Sequence, residues 1–423
     1  MRDRPIIIIV GGGAAGLMAA GTAARTGARV LVLEKKPRTA LKLGITGKGR
    51  CNLTNTASLP DFIERFGKQG RFLRTALTAF FSDDLVAFFE SLGVPTKTER
   101  GGRIFPEGNQ ASHVVRALRR WAAEGGARTR QRTEVTELLT DGGRISGVKV
   151  KTTSSTGKRA TEVLDADAVI VTTGGASYPV TGSTGDGVQL AEATGHRVVL
   201  LRPSLVPLET AGPTAKRLQG LSLRNTGLDV YLDGRKKEHH FGELLFTHFG
   251  VSGPIILSAS RRIVPALENG KRVVLSIDLK PALDHEKLDA RLLRDFDAHG
   301  KQQVHNLLKG LLPRLLIPVC IGATGLDPNA MAHQVTAKAR KRLRTWLKDF
   351  RLEVTGHRGW DEAIVTAGGV DLRDIDPATM GSRKIDGLSF AGEVLDLDGD
   401  TGGFNLQAAF STGRLAGASV RTE

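Results

Sequence analysis

Apolar and polar positions divide the chain into segments of two periods. Ile6 to Val10 is an unbroken apolar run of the kind buried on both faces of a parallel sheet. Gly11, Gly13 and Gly16 follow in G-x-G-x-x-G register, and small residues then predict a helix from about Ala14 to Thr26. Arg29 to Leu33 reads as a second strand, ending at Glu34. From Asp61 to about Gly93 the aromatic and aliphatic positions Phe62, Phe66, Leu77, Phe81, Leu85 and Phe89 recur at helical spacing and predict a core face. A helix is expected over Ala111–Glu124, carrying Arg116, Arg119 and Arg120. Alternating segments at Thr133–Leu139, Ile145–Thr152 and Thr161–Leu164 predict a β-meander leading into a strand at Asp167–Val171. That strand ends in the glycine turn Thr172–Tyr178, and a helix is expected from Gly187 through Ala193.

Pro203–Pro207 marks a change of pattern. Short β-like segments at Leu228–Leu232 and Val273–Asp278 precede helical stretches at His285–Leu316 and Met331–Phe350. The last part predicts a strand at Leu388–Ala391 and a helix after Gly402-Gly403. The expected organisation is a nucleotide-binding domain over residues 1–202 and 360–423, interrupted by an inserted, substrate-selecting domain over 203–359 with a β-rich part and a helical part.

The order strand, glycine turn, helix, strand, acid at the N-terminus carries chemistry. Glycines let backbone N–H groups approach a pyrophosphate at a helix N-terminus, and a carboxylate about 20 residues on can accept both ribose hydroxyls. Glu34 would repel a 2′-phosphate, which disfavours NADP here and leaves NAD and FAD. The C-terminal segment Phe390–Gly413 decides between them. It offers a second glycine turn before a second helix, whose N–H donors suit the negative charge of a reduced isoalloxazine, while Asp400 can accept from a ribityl hydroxyl. A cofactor reaching both ends is FAD.

With 423 residues the chain can form two or three domains with their own cores. It has no apolar run of membrane-spanning length, and its start goes almost directly into a core strand without a signal pattern, so a cytoplasmic location is expected. Two distant cysteines, Cys51 and Cys320, support neither a disulfide framework, a Cys-x-x-Cys redox pair nor a metal site. The net charge of +16 brings a polyanionic partner into consideration. Lys338, Arg340, Lys341, Arg342, Arg344 and Lys348 would give one strongly cationic helix face, either a solvated surface or a set of phosphate contacts on RNA. Val335, Ala339, Leu343, Trp346, Leu347 and Phe350 are expected to face inward.

Four further runs, Gly44–Asn55, Thr173–Gly187, Gly242–Pro254 and Thr366–Asp371, resemble those of the BaiN/RdsA-type NAD(P)/FAD-dependent oxidoreductases, also known as aminoacetone oxidase family FAD-binding enzymes. With the terminal motifs the resemblance spans nearly the whole chain. It implies an α/β fold, a glutathione-reductase-like FAD-binding Rossmann domain interrupted by a β-rich plus helical insert. The activities it implies are reduction of steroid enones, oxidation of aminoacetone, or formation of dihydrouridine in ribosomal RNA. Carried over residue by residue, the cofactor contacts are Gly11, Gly13, Ala14, Ala15 and Gly16 at the pyrophosphate turn and Glu34 with Lys35 at the ribose. Lys42, Gly49, Arg50, Cys51 and Asn52 belong to the connection after the second strand, and Thr173, Gly174 and Gly175 to the midchain turn. Gly392, Glu393, Asp400, Gly403, Phe404, Asn405 and Leu406 make the flavin-side motif.

Reducing an activated C=C bond needs hydride at one carbon and an acid at the other. Cys51, Tyr178 and His248 are candidate acids, each with a competing structural role: Cys51 as a small packing residue, the other two as hydrogen-bonded structural groups. A single dinucleotide fingerprint leaves two routes for electrons: NAD(P)H, as a possible donor, docking transiently, or another source. Three functions stay open: reduction of uridine in ribosomal RNA, oxidation or reduction of a small amine or enone, and RNA binding with FAD as a structural element. Oligomeric state is not legible.

Overall fold

The computed structural model describes residues 4–154 and 156–420. Residues up to Ser204 together with those from Trp360 onward form one unit, and Leu205–Gly359 form another.

The first unit is built on a five-stranded parallel sheet in the order Leu388–Phe390, Ala168–Val171, Ile6–Val10, Arg29–Glu34, Arg128–Gln131. Ile6–Val10 is central because it is apolar throughout: Ile7 stands opposite both Ala168 and Val30, and Ile7, Ile8 and Ile9 are at most 1% exposed. Fully burying each such side chain contributes about 1.5–3 kcal/mol. The helices Ala14–Arg25 and Phe404–Ser419 pack backbone to backbone. A Cβ on Gly413 would overlap the carbonyl oxygen of Ala15, and one on Gly417 that of Ala19. The chain ends therefore meet in one core. The mixed α/β fold with a parallel Rossmann-type sheet agrees with the expectation from sequence.

The expected meander is present as Thr133–Asp141, Arg144–Thr153 and Arg159–Asp165. Val198–Ser204 pairs antiparallel with Val365–Val370, joining the two sequence segments of this unit a second time. The helical stretch read over 61–93 is broken. Extended backbone at Phe80 and Phe81 separates Arg74–Ala79 from Ser82–Ser91, and Gly67–Leu73 is a 3₁₀ helix. Its aromatic face still forms one cluster, with Phe62 5.3 Å from Phe81 and 4.7 Å from Phe404.

The second unit is a closed six-stranded barrel in the order Leu208–Thr210, Gly250–Ser252, Arg235–Phe246, Ser222–Leu232, Val273–Asp278, Phe350–His357. The sequence pattern marks Val273–Asp278 over its full length, part of Ser222–Leu232 and none of the other four. The helical stretch expected from His285 is His285–Ala298 and Val304–Leu308, with Leu316–Thr324 following. Ala337–Lys348 is capped by Thr336, whose hydroxyl accepts from the N–H of Ala339 at 3.2 Å. Leu343 and Leu347 are buried as expected, while Phe350 has already entered the barrel. Among the described residues no helix is long and apolar enough to cross a membrane.

Candidate cofactor and active site

At the first turn each glycine has a separate physical reason. Gly11 takes φ +99°, and a Cβ there would come within 2.8 Å of the Thr172 carbonyl oxygen. A Cβ on Gly16 would overlap the carbonyl oxygen of Gly11. Gly13 faces open space and caps the helix Ala14–Arg25 without any side chain answering its first N–H groups. An anion is the natural partner for such an end. Glu34 stands beside it: its Oε2 accepts from the N–H of Gly12 at 3.0 Å and its Oε1 from the N–H of Lys36 at 2.8 Å. Burial raises its pKa despite these bonds and the neighbouring Lys35 and Lys36. Hydroxyl donors would restore what burial removes.

Beyond Glu34 lies a cavity of about 340 Å³ lined by Lys35, Lys36, Arg132, Glu134, Lys151, Thr153 and Thr184. Lys35 is held there by an ion pair with Asp186 and a hydrogen bond to Thr184.

The midchain turn and the C-terminal motif meet at one carboxylate. Glu393 Oε1 accepts from Lys42 Nζ at 3.0 Å, Ser177 Oγ at 2.9 Å and Thr366 N at 2.8 Å, and its Oε2 accepts from Lys42 Nζ at 2.7 Å. Lys42 Nζ also donates to Ser177 Oγ at 2.6 Å. Thr366 Oγ1 in turn accepts from the N–H groups of Ala176 and Ser177 at 2.8 and 3.2 Å. Gly175 is required beneath this joint, since a Cβ would overlap the Thr366 side chain. Gly174 takes φ +75° with Thr173 before it. Ser177 and Thr366 were not singled out from sequence, although both lie inside recognised runs. Their partners are distant along the chain, so no local pattern marks them.

The flavin-side turn is shaped from within. Gly403 takes φ +101° at the start of Phe404–Ser419, where a Cβ would overlap the Thr54 carbonyl oxygen, and no side chain caps that helix. Asn405 braces its own loop: its Oδ1 accepts from Gly399 N at 2.8 Å and its Nδ2 donates to the carbonyls of Gly399 and Asp400 at 2.9 and 3.3 Å. Its side chain is thus committed to the turn. Phe404 is likewise buried against Phe62, whereas Leu406 is partly accessible. Asp400 sits 3.6 Å from Arg65. Asn55, overlooked in the sequence, ties two loops together through its Nδ2, which donates to the carbonyls of Gly101 and Gly402, each at 3.0 Å. Gly392 takes φ +77° against Ala15.

In the connection after the second strand, Gly49 is open and left-handed. Arg50 is ion-paired with Glu99 and lies 4.2 Å over the ring of Phe105. Asn52 Oδ1 is buried without a hydrogen-bond partner. Cys51 is 0% exposed, and burial pushes its thiol up to about 12.

Tyr178 is partly buried in a left-handed conformation, φ 52°, with its N–H donating to the carbonyl of Trp360. Burial and then Glu362 raise its pKa. His248 belongs to the barrel unit, where it is exposed, its ring 5.0 Å from Phe249.

The six basic residues of Ala337–Lys348 do not form one free face. Arg340 and Arg344 reach Asp289 at 3.2 and 3.4 Å, Lys348 reaches Asp278 at 2.5 Å, and Arg342 donates to the Thr324 carbonyl at 2.7 Å. Lys338 and Lys341 remain exposed.

These features fit FAD: an unanswered helix N-terminus with open space at Gly13, a ribose-seeking Glu34, an orphaned Asn52 oxygen and a second uncapped helix start at Gly403.

A family model described as HI0933-like protein Rossmann domain matches residues 5–419. The 3-dehydro-bile acid delta(4,6)-reductase of Clostridium scindens is 32% identical over 97% of this chain and 98% of its own length. A ribosomal RNA dihydrouridine synthase of Escherichia coli is 30% identical over 96% of this chain and 95% of its own. Among solved structures, the 3-ketosteroid delta1-dehydrogenase of Sterolibacterium denitrificans superposes with a TM-score of 0.53 at 14% identity, covering 97% of this chain and 98% of that one. That last likeness concerns the fold.

Proposed function

The chain belongs to the HI0933-like Rossmann family of FAD-dependent oxidoreductases, and from that premise we propose that it reduces the C5=C6 bond of uridine in ribosomal RNA to dihydrouridine. Bound between its two helix ends, FAD would supply the hydride. The N–H groups after Gly13 hold the diphosphate, Glu34 orients the ribose, and Asn52 Oδ1 gains a donor it otherwise lacks. Lys42, fixed by Glu393 and Ser177, presents a positioned cation to the cofactor's electron-rich edge.

A proton must reach the carbon opposite the hydride. Tyr178 Oη, a phenol protonated at neutral pH and partly buried, is assigned that role. Cys51 is left as packing, because a fully buried thiol does not face a substrate. Reduced pyridine nucleotide is the proposed electron donor, docking transiently.

The observation that carries the RNA reading is the 30% identity with the dihydrouridine synthase over nearly both whole chains, and the charge of +16 supports it. A second reading has its own support in the 32% identical bile acid reductase: a small enone as substrate. Uracil is itself an α,β-unsaturated carbonyl, so one site chemistry serves either. The test is to incubate the flavin-loaded, reduced protein with unmodified ribosomal RNA and measure the RNA by mass spectrometry. A gain of two hydrogens at uridine is expected; unmodified RNA alongside turnover of a steroid enone would select the second reading.

A further inference from the structure

The barrel unit carries a cleft of about 590 Å³ whose lining includes Arg224, Lys280 and Arg291 beside Phe241, Leu279 and Leu283, with no carboxylate in the lining. We infer that this cleft binds single-stranded RNA, stacking a base on Phe241 while the three cations take the flanking phosphates. The inference rests on the RNA reading above and moves the RNA contact from the helix Ala337–Lys348 to this cleft.

Phe241 is 59% exposed. It projects from the strand Arg235–Phe246 directly opposite Gly227, so no cross-strand side chain covers the ring. A Cβ on Gly227 would lie 3.2 Å from the Asp278 Cβ, 3.5 Å from the His239 ring and 3.7 Å from Pro281, so a side chain there would crowd this end of the cleft. An aromatic face left bare above a basic groove is the arrangement that holds successive bases without sequence preference.

The cations are poorly compensated. Arg224 is exposed with no side-chain partner among the described residues. Arg291 has only a surface pair with Asp295 at 3.6 Å, which is worth little. Lys280 is partly buried, and desolvation followed by the nearby Arg291 lowers its pKa. Asp278, the acid nearest in sequence, is already engaged by Lys348. An arriving anion would relieve both effects on Lys280. Three cations exceed what a single carboxylate on a steroid would neutralise and suit a run of phosphates. The volume accommodates a ligand of nucleotide size.

The test is fluorescence anisotropy of a labelled decauridylate RNA with the FAD-loaded full chain. Arg224→Ala combined with Arg291→Ala is expected to raise Kd at least tenfold. It should also flatten the slope of log K against log salt by about 1.4, two contacts at about 0.7 each. Phe241→Ala should raise Kd roughly 5- to 150-fold, the equivalent of about 1–3 kcal/mol of stacking. Phe241→Trp should retain binding and Phe241→Leu should not, which separates stacking from general apolar packing. Binding unchanged in these variants, rescue by leucine, or a loss appearing instead in Lys338→Ala with Lys341→Ala would overturn the inference. Displacement of the RNA by a steroid carboxylate at the same residues, with weaker RNA than steroid binding, would do so too. Dihydrouridine formation is followed in parallel. RNA held by the cleft but never reduced removes the substrate reading and leaves the cleft assignment. RNA reduced normally while cleft variants bind like wild type removes the cleft assignment alone.

Discussion

Replacing Thr366 by valine keeps the shape of a fully buried side chain and removes one oxygen. That oxygen accepts from Ala176 N at 2.8 Å and Ser177 N at 3.2 Å, and valine leaves both donors without it. A buried donor stripped of its acceptor costs about 1–3 kcal/mol; since the second bond is long, the expected loss is about 2–4 kcal/mol. In a cooperative unit of this size that lowers Tm by roughly 4–16 °C. Thr366→Ser keeps the oxygen and loses one buried methyl, about 1 kcal/mol. Thermal unfolding of the flavin-free protein, followed by circular dichroism, compares the two. Flavin affinity should follow the same order, because Thr366 N and Ser177 Oγ both hold Glu393, and Glu393 holds Lys42. If Thr366→Val were as stable and bound flavin as well as Thr366→Ser, the hydroxyl would not hold this joint together.

Other perturbations separate the remaining assignments. Glu34→Arg should lower FAD affinity at least tenfold by equilibrium dialysis, and full flavin occupancy in that variant would remove Glu34 from the ribose site. Burial raises the Glu34 pKa, so the folded apoprotein holds that proton more tightly than the unfolded chain. The resulting stability is complete below about 4.5, the unfolded value, and lost as pH rises through the folded one. Urea unfolding of apo Glu34→Gln should therefore gain on wild type as pH rises across that window, and parallel curves would contradict the sign. Tyr178→Phe should reduce turnover roughly 100-fold or more with flavin binding retained. Cys51→Ala should keep turnover within about threefold; a collapse of turnover in a folded, yellow variant would reinstate the thiol as the acid.

Much of the first unit was legible because its signals are local. Ile6–Val10, the glycine turn, the alanine-rich helix and Glu34 follow one another within one supersecondary unit. The barrel was not, because closure depends on strands such as Leu208–Thr210 and Gly250–Ser252, which are three residues long. Its longest strand, Arg235–Phe246, begins with a charged run, and bulges in its pairing with Ser222–Leu232 break the alternation of period two. At the site, the motifs are local but the contacts that brace them are not. Asn405 belongs to the flavin-side motif in sequence, and its side chain braces the loop before it in space. The joint of Lys42, Ser177, Thr366 and Glu393 draws on four separate segments, and only the fold brings them together. The cationic helix shows the opposite failure: side-chain type was right, but Asp289 and Asp278 lie too far away in sequence to be seen as partners.

The parallel sheet receives Leu388–Phe390 as its last strand, and the helix Phe404–Ser419 locks onto Ala14–Arg25 through Gly413 and Gly417. During synthesis the N-terminal glycine turn emerges first and must wait for nearly the whole chain before its partner helix exists. The barrel, contiguous in sequence, can form in the interval. A nascent chain stopped before residue 404 would hold the barrel's sequence whole and still lack the helix that closes the parallel-sheet unit on Ala14–Arg25.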